Sequence, residues 1–126
     1  MNLPELRIKL QLKPSHTGRF ANVPTEIKRE LVEWPATMLT RRTLGIDYVV
    51  LFVNSRAELR KHLSKALKWL REDGILWIAY PKKSSGIKTD IDRDHGWEPV
   101  FKAGLKGVRA ISIDEDWTAL RFRHKT

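Results

Sequence analysis

The sequence predicts an α/β fold: a three-layer, Rossmann-like domain whose mostly parallel sheet ends in an antiparallel hairpin. Two continuous apolar runs, residues 48–53 and 75–80, are typical of strands that are covered on both faces. An amphipathic segment separates them, and such a strand–helix–strand unit places its strands parallel with a right-handed crossover. The length of 126 residues suits one domain, so residues 1–126 are interpreted as a single unit.

The segment between the two apolar runs carries the signals of a helix. Ser55 and Glu58 match a capping box, in which a hydroxyl and a carboxylate bind the first unpaired amides of a helix. The helix is expected to continue to about Arg71 and to end at Gly74, with Trp69 against the sheet edge. An apolar stripe at helical spacing would face the sheet, formed by Leu59, Leu63, Ala66, Leu67 and Leu70.

A further helix, broken by Gly and Pro, is predicted over residues 90–103. Thr89 and Asp92 can form a capping pair at its start, and Gly104 suits the position that follows a helix. Strands are then predicted at 108–113 and 117–123. Because the acidic turn between them has only three residues, these strands must pair antiparallel.

The first 45 residues carry weaker signals. Residues 6–12 form a short amphipathic segment, and residues 19–23 suit a short strand. Thr25 is placed to cap a helix that ends at about Trp34, since a proline follows. Another short strand is expected at 38–42.

Composition narrows the function classes. The chain has 24 Lys and Arg against 15 Asp and Glu, and its net charge of +9 favours anionic partners. It has no cysteine, which excludes disulfides, thiolate metal sites and a thiol nucleophile. The longest apolar runs have six residues, against the roughly 20 that a membrane span needs, so we expect a cytoplasmic protein without a membrane partner.

The polar loop after the second apolar run is the best candidate for a site. Open α/β sheets bind ligands beyond the carboxyl ends of their strands, and lysines, hydroxyls and nearby amides can surround an oxyanion there. The sequence therefore predicts that the loop binds a phosphate-containing small molecule. The residues concerned are Lys82, Lys83, Ser84, Ser85, Gly86 and Lys88.

The terminal hairpin supplies three more candidate ligand-binding residues. Its acidic turn, which includes Asp114, could hold Arg121 or Lys82 through charge-assisted hydrogen bonds. Trp117 could cover the end of the sheet while its indole N–H finds an acceptor. A structural hairpin with a solubilising turn would have the same composition.

Known catalytic and cofactor motifs are missing. No Walker A or Gly-x-Gly-x-x-Gly pattern occurs, and the four histidines have no metal-ligand spacing. Ser85 and Lys88 match Ser-x-x-Lys, but the chain is too short for that enzyme fold. Asp90, Asp92 and Asp94 resemble a calcium loop that lacks its glycine and its final glutamate. No catalytic residue, metal or cofactor is therefore predicted.

Two alternatives stay open. The predicted helix at 56–71 could track a nucleic-acid backbone. Its cations are Arg56, Arg60, Lys61, Lys65, Lys68 and Arg71. The other alternative is a small enzyme that acts on a phosphorylated metabolite with Lys82, Ser84 or Asp114.

Residues 47–53, 76–90 and 112–122 resemble a family of short bacterial proteins, domain-of-unknown-function family three thousand fifty-two. The blocks Trp-x-x-x-Pro-Lys at 77–82 and Asp-Glu-x-Trp at 114–117 carry the resemblance. Thr118 stands where the family pattern has Ser. The resemblance implies no established activity and no catalytic residue.

The strand order that this resemblance implies is similar to the C-terminal half of class I S-adenosylmethionine-dependent methyltransferases. The similarity concerns architecture, and a fold does not by itself imply a function. The glycine-rich first loop and the acidic residue that would hold the ribose of the cofactor are not found, so no cofactor is expected.

Overall fold

The computed structural model describes residues 3–13, 15–34 and 39–124. Its helices are α1 (Leu3–Lys9), α2 (Thr25–Leu31), α3 (Arg56–Trp69) and α4 (Glu98–Lys102). Its strands are β1 (Gly18–Ala21), β2 (Ile46–Phe52), β3 (Leu70–Pro81), β4 (Leu105–Ser112) and β5 (Trp117–His124).

The five strands form one mixed sheet in the order β1-β2-β3-β5-β4. The first three strands are parallel, and β5 pairs antiparallel with both β3 and β4. The predicted mostly parallel sheet with a terminal antiparallel hairpin is therefore confirmed. The carboxyl ends of β1, β2 and β3 meet at one edge of the sheet, and the turn between β4 and β5 lies at the same edge.

Helices cover both faces of the sheet and give three layers. One core cluster joins α3 and α4 to alternate residues of β2 and β3, including Val49 and Leu51. The other joins α1 and α2 to the intervening residues, including Tyr48 and Val50. The apolar run of β2 is thus buried on both faces, as its composition predicts.

The Ser55 hydroxyl caps α3 as predicted, whereas the Glu58 carboxylate binds the amide of Asn54 rather than that of Ser55, and the helix ends earlier than expected. Glu58 N–H donates to Ser55 Oγ at 3.1 Å, and the Glu58 carboxylate accepts from Asn54 N–H at 2.7 Å. The last helical residue is Trp69 rather than Arg71, because Leu70 already pairs with Ile46 in the sheet. Gly74, predicted to end the helix, lies inside β3 instead.

The helix predicted over 90–103 is wrong in its first half. Thr89 Oγ1 accepts from Ile91 N–H at 3.1 Å, and Asp92 Oδ1 accepts from Asp94 N–H at 2.9 Å. These side chains satisfy nearby amides in turns, which competes with helix formation. The helix is confined to Glu98–Lys102, and Gly104 follows it with a φ of 85°, as predicted.

The N-terminal elements are shorter than the sequence predicts. Helix α2 ends at Leu31, although Trp34 is buried on the same core cluster. The prediction of a strand at 38–42 is wrong for the described residues 39–42. There, Thr40 N–H makes one backbone hydrogen bond to Gly18 O, but no strand forms. Met38 lies outside the described residues.

Within the described ranges, every helix is too short or too polar to span a bilayer.

Candidate functional site

A cleft of about 580 Å³ opens at the carboxyl ends of the parallel strands. Its walls come from the β1–α2 connection, the end of β2, the start of α3, the loop after β3 and the β4–β5 turn. Four connections meet there, because β1, β2 and β3 end at the same edge of the sheet and the β4–β5 turn lies at that edge. This edge is where open α/β sheets place their ligands.

Asn22 shapes the wall between β1 and β2. Its backbone is in the left-handed region, with a φ of 57°, which asparagine tolerates better than most residues. Its side-chain Nδ2 donates to Phe52 O at 2.7 Å and so ties the ends of the two strands together. Only Val23 and Pro24 separate Asn22 from α2, so the connection is short and has no glycine.

The cleft is lined by the carboxylates of Glu26, Glu58, Asp114 and Asp116. One oxygen of Asp114 accepts from the N–H groups of Asp116 and Trp117, each at 2.8 Å. These contacts to neutral amides leave the carboxylate charge in place. A chain with a net charge of +9 therefore has a locally acidic cleft. The described residues nevertheless contain no group of three or more His, Cys, Asp or Glu arranged to hold a metal ion.

Lys82 is engaged within the protein. Its Nζ donates to Ser112 Oγ and to Asp114 O, each at 2.6 Å, and its N–H donates to Asp116 O at 2.8 Å. The acidic turn thus holds Lys82, but through backbone oxygens rather than carboxylates. The ammonium group therefore joins the end of β3 to this turn.

The rest of the loop after β3 folds on itself. Ser85 Oγ donates to Lys82 O at 2.7 Å and accepts from Ile87 N–H at 3.1 Å, so this hydroxyl is also engaged. Gly86 closes the turn with a φ of 79°. Three of the predicted side chains remain exposed, those of Lys83, Ser84 and Lys88. Of these, Lys83 lies 3.7 Å from Asp92 Oδ2.

Trp117 and Arg121 occupy different places. Trp117 is buried, and its ring centroid lies 5.3 Å from that of Phe52, so it covers the end of the sheet as predicted. Arg121 lies four residues along β5, about 13 Å away at the usual rise of a strand. There it donates from Nη1 to Gln11 Oε1. The structure therefore separates Arg121 from the predicted loop.

Two of the cations in the predicted basic helix make internal contacts. Arg56 Nε donates to Asp90 O at 2.9 Å. Arg71, now in β3, donates from Nε to Asp47 Oδ1 at 2.7 Å. The exposed cations of α3 are Arg60, Lys61, Lys65 and Lys68.

Several residues of the cleft escaped the sequence analysis. Asn22 follows β1, Glu26 lies in the first turn of α2, and Asp116 lies in the β4–β5 turn, so only the sheet brings Asp116 to the other two. Asn22 falls inside the strand predicted over residues 19–23, whereas β1 ends at Ala21, so the sequence pattern did not place it in a connection. The sequence identified Glu58 as a helix cap. Its additional place in the wall of the cleft depends on the sheet.

Comparison of the sequence with known families shows one match. A family model described as "Protein of unknown function (DUF3052)" matches residues 22–126. A comparison with curated proteins finds no match.

Comparison with solved structures shows the fold. A Sulfolobus solfataricus protein provisionally designated a type 11 methyltransferase has 11% identity and a TM-score of 0.60, over 98% of this chain and 90% of that one. LepI in complex with SAM has 13% identity and a TM-score of 0.54, over 97% of this chain. The chain spans 39% of the length of LepI. At these identities, the likeness shows a methyltransferase-like fold.

Proposed function

Because the matching model covers residues 22–126, the chain belongs to the DUF3052 family of proteins of unknown function, and we propose that it binds a small molecule carrying a positive charge. The observation that carries the proposal is the cleft at the carboxyl edge of the sheet. It gathers four carboxylates on a chain whose net charge is +9. A cleft lined by one sign of charge attracts ligands of the other sign.

The position and shape of the cleft support this proposal. Small-molecule sites are concave and combine apolar walls with a few convergent polar groups. Here Phe52, Trp117 and Ile87 supply apolar surface, and the carboxylates supply the polar groups.

Spermidine is a suitable probe for the cleft. Titration calorimetry is expected to show saturable binding with a Kd below about 1 mM, or roughly 4 kcal/mol. The double variant Glu26→Gln with Asp116→Asn removes two cleft charges and should weaken binding at least about tenfold, at 1.4 kcal/mol per factor of ten. The matched control, Glu72→Gln with Asp73→Asn, removes two exposed charges from β3 and should bind like the unmodified protein.

The control separates a site from general charge attraction. Equal weakening in both double variants would show that spermidine responds only to overall charge, and the proposal would be wrong. Titration into sodium chloride at equal ionic strength corrects for screening. No saturation up to about 10 mM spermidine would also contradict it.

A second candidate keeps the anionic ligand predicted from the sequence. The exposed Lys83, Ser84 and Lys88 lie on a turn closed by Gly86, and they support a weak phosphate or sulfate site without Lys82. A Kd of about 1 mM would stabilise the fold by about 1.4 kcal/mol at roughly 10 mM phosphate. That corresponds to a rise of roughly 3–6 °C in Tm.

The second candidate has its own test. Lys83→Ala with Lys88→Ala should remove the extra stabilisation by phosphate over chloride at equal ionic strength. The exposed pair Lys61→Ala with Lys65→Ala on α3 should keep it. An equal shift in both double variants would place the anion elsewhere.

A further inference from the structure

Three arginines lie together on one face of the β4–β5 hairpin, far from the cleft. Arg109 of β4 and Arg121 of β5 are directly opposite in the register of the sheet. Arg123 lies two residues further along β5, so its side chain leaves from the same face. This is the face that α1 covers, because Ala119 of β5 packs in the core cluster to which α1 belongs.

Repulsion within this cluster of three arginines destabilises the folded state. Like charges directly opposite on neighbouring strands destabilise a sheet. Among the described residues, no ion pair involves Arg109, Arg121 or Arg123. Burial of Arg121, together with the charges of Arg123 and Arg109, lowers the pKa of its guanidinium. An arginine remains protonated despite such a shift, so the repulsion stays.

Arg121 also has an unused hydrogen-bond donor. Its Nε is buried and has no hydrogen-bond partner among the described residues, although buried polar atoms are normally paired. Its Nη1, in contrast, donates to Gln11 Oε1, so one end of the guanidinium is held in a fixed direction.

Gln11 is held in a backbone conformation that disfavours it. It follows α1 with a φ of 60°, at the position where helices usually end with glycine. The bonds from Gln11 N–H to Ile8 O and from Leu12 N–H to Arg7 O are those of a Schellman motif. A side chain at this position is unfavourable for the backbone, and here the side chain of Gln11 orients Arg121.

We propose that Arg109, Arg121 and Arg123 form a binding site for a phosphate-bearing ligand, with Gln11 as the residue that positions Arg121. Opposite residues on neighbouring strands are about 5 Å apart at Cβ, and alternate residues on one strand are about 7 Å apart. One phosphate can therefore contact two guanidinium groups, and a second phosphate can reach the third. The planar guanidinium suits the paired hydrogen bonds of phosphate better than an ammonium does.

Pyrophosphate is the first probe, since it carries two linked phosphates without a base. Arg109→Gln and Arg123→Gln change exposed residues. Each should weaken pyrophosphate binding about tenfold, because one hydrogen bond between charged groups is lost. The matched control Lys61→Gln removes one exposed charge from the opposite face and should leave the Kd within about twofold. Equal weakening in the control, or no binding up to about 10 mM pyrophosphate, would overturn the proposal.

Gln11→Gly separates the positioning role from a structural one. Glycine suits the left-handed backbone, so the variant should have an unchanged or higher Tm. The same variant should weaken pyrophosphate binding, because Arg121 loses its anchor. A higher Tm with an unchanged Kd would overturn the role of Gln11.

A single-stranded oligonucleotide of about 12 nucleotides identifies the source of the phosphate. A nucleic-acid backbone in contact with three arginines should give a slope of about −2 for the logarithm of affinity against that of salt concentration. Arg109→Gln and Arg123→Gln should each make this slope shallower. If these variants lose binding of both probes, the ligand is a nucleic-acid backbone. If they lose binding of pyrophosphate alone, the ligand is a free phosphate compound. Unchanged binding of both probes would overturn the site.

Discussion

The ammonium group of Lys82 lies 2.6 Å from the backbone oxygen of Asp114 and joins the end of β3 to the turn between β4 and β5. A second bond of 2.6 Å to Ser112 Oγ holds the same group from the other side. The lysine thus fixes the turn that forms one wall of the acidic cleft. A residue that looks like a free surface cation in the sequence is part of the frame of the site.

Lys82→Met should destabilise the protein by about 2 kcal/mol, because two hydrogen bonds from a charged donor are lost. The neighbouring Lys83→Met is the matched control, since Lys83 is largely exposed, and it should change stability by about 0.5 kcal/mol or less. Urea unfolding at neutral pH measures both. Equal midpoints for the two variants would show that the contacts of Lys82 contribute no stability.

Trp117→Ala should cost about 3 kcal/mol or more, as expected when a large buried side chain is truncated. The side chain is 8% exposed and packs on Phe52 beneath the cleft. Val32→Ala, at a residue 75% exposed, provides a control with little expected effect. If the denaturation midpoint of the Trp117 variant hardly moved, burial of this ring would not stabilise the fold.

Gly18→Ala should be strongly destabilising, by about 3 kcal/mol. A Cβ atom at Gly18 would lie 1.8 Å from Cζ of the buried Tyr48, its partner in the register of β1 and β2. The ring cannot move away easily because it is fully buried. Gly107→Ala in β4 is the control, since its Cβ would meet Leu120 at an ordinary 3.4 Å. Similar thermal stability of the two variants would contradict this packing.

Asp92 should titrate with a pKa of about 2, below its ordinary 3.8, because of hydrogen bonds from the His95 ring and from Asp94 N–H. A lowered pKa in the folded state means that the ionised form stabilises the fold above about pH 4 and that this contribution is lost as the pH falls towards 2. In His95→Ala the pKa should rise towards 3.8, whereas in His62→Ala it should not change. NMR chemical shifts of the Asp92 side-chain carboxyl, followed against pH, measure this pKa in the unmodified protein and in the two variants.

S-adenosylmethionine should bind no tighter than about 1 mM. Its usual glycine-rich loop is replaced here by the short connection after Asn22, whose side chain bonds to Phe52 O. In addition, β1 is an edge strand among the described residues, in which no strand beyond it supplies a ribose-binding acid. Micromolar binding by calorimetry would contradict this prediction and favour a methyl-transfer function.

Much of the fold could be predicted from local patterns. The continuous apolar run of β2, the capping box at Ser55 and the short acidic turn before Trp117 each satisfy a local physical requirement. Local patterns failed where long-range pairing competes with them. Leu70 leaves the helix because its sheet partner, Ile46, is far away in the sequence.

The candidate sites depend more strongly on tertiary structure. The sequence indicated that a ligand would bind after the strand that ends near Pro81. The order of strands and helices determines at which edge of the sheet the loops lie. It predicted that the acidic turn could hold Lys82, but it could not show that Lys82 would bind the backbone oxygen of Asp114 rather than the carboxylate.

The sequence by itself thus determined the mixed sheet, its covering helices and the edge that carries the cleft, because burial periodicity and turn length act over short distances. The tertiary structure decided which polar groups remain available to a ligand. Acidic residues of α2, α3 and the β4–β5 turn converge on the cleft, and Gln11 meets Arg121 across 110 residues of chain. Hydrogen bonds between residues this distant arise only when the sheet brings them together, so no local pattern encodes them.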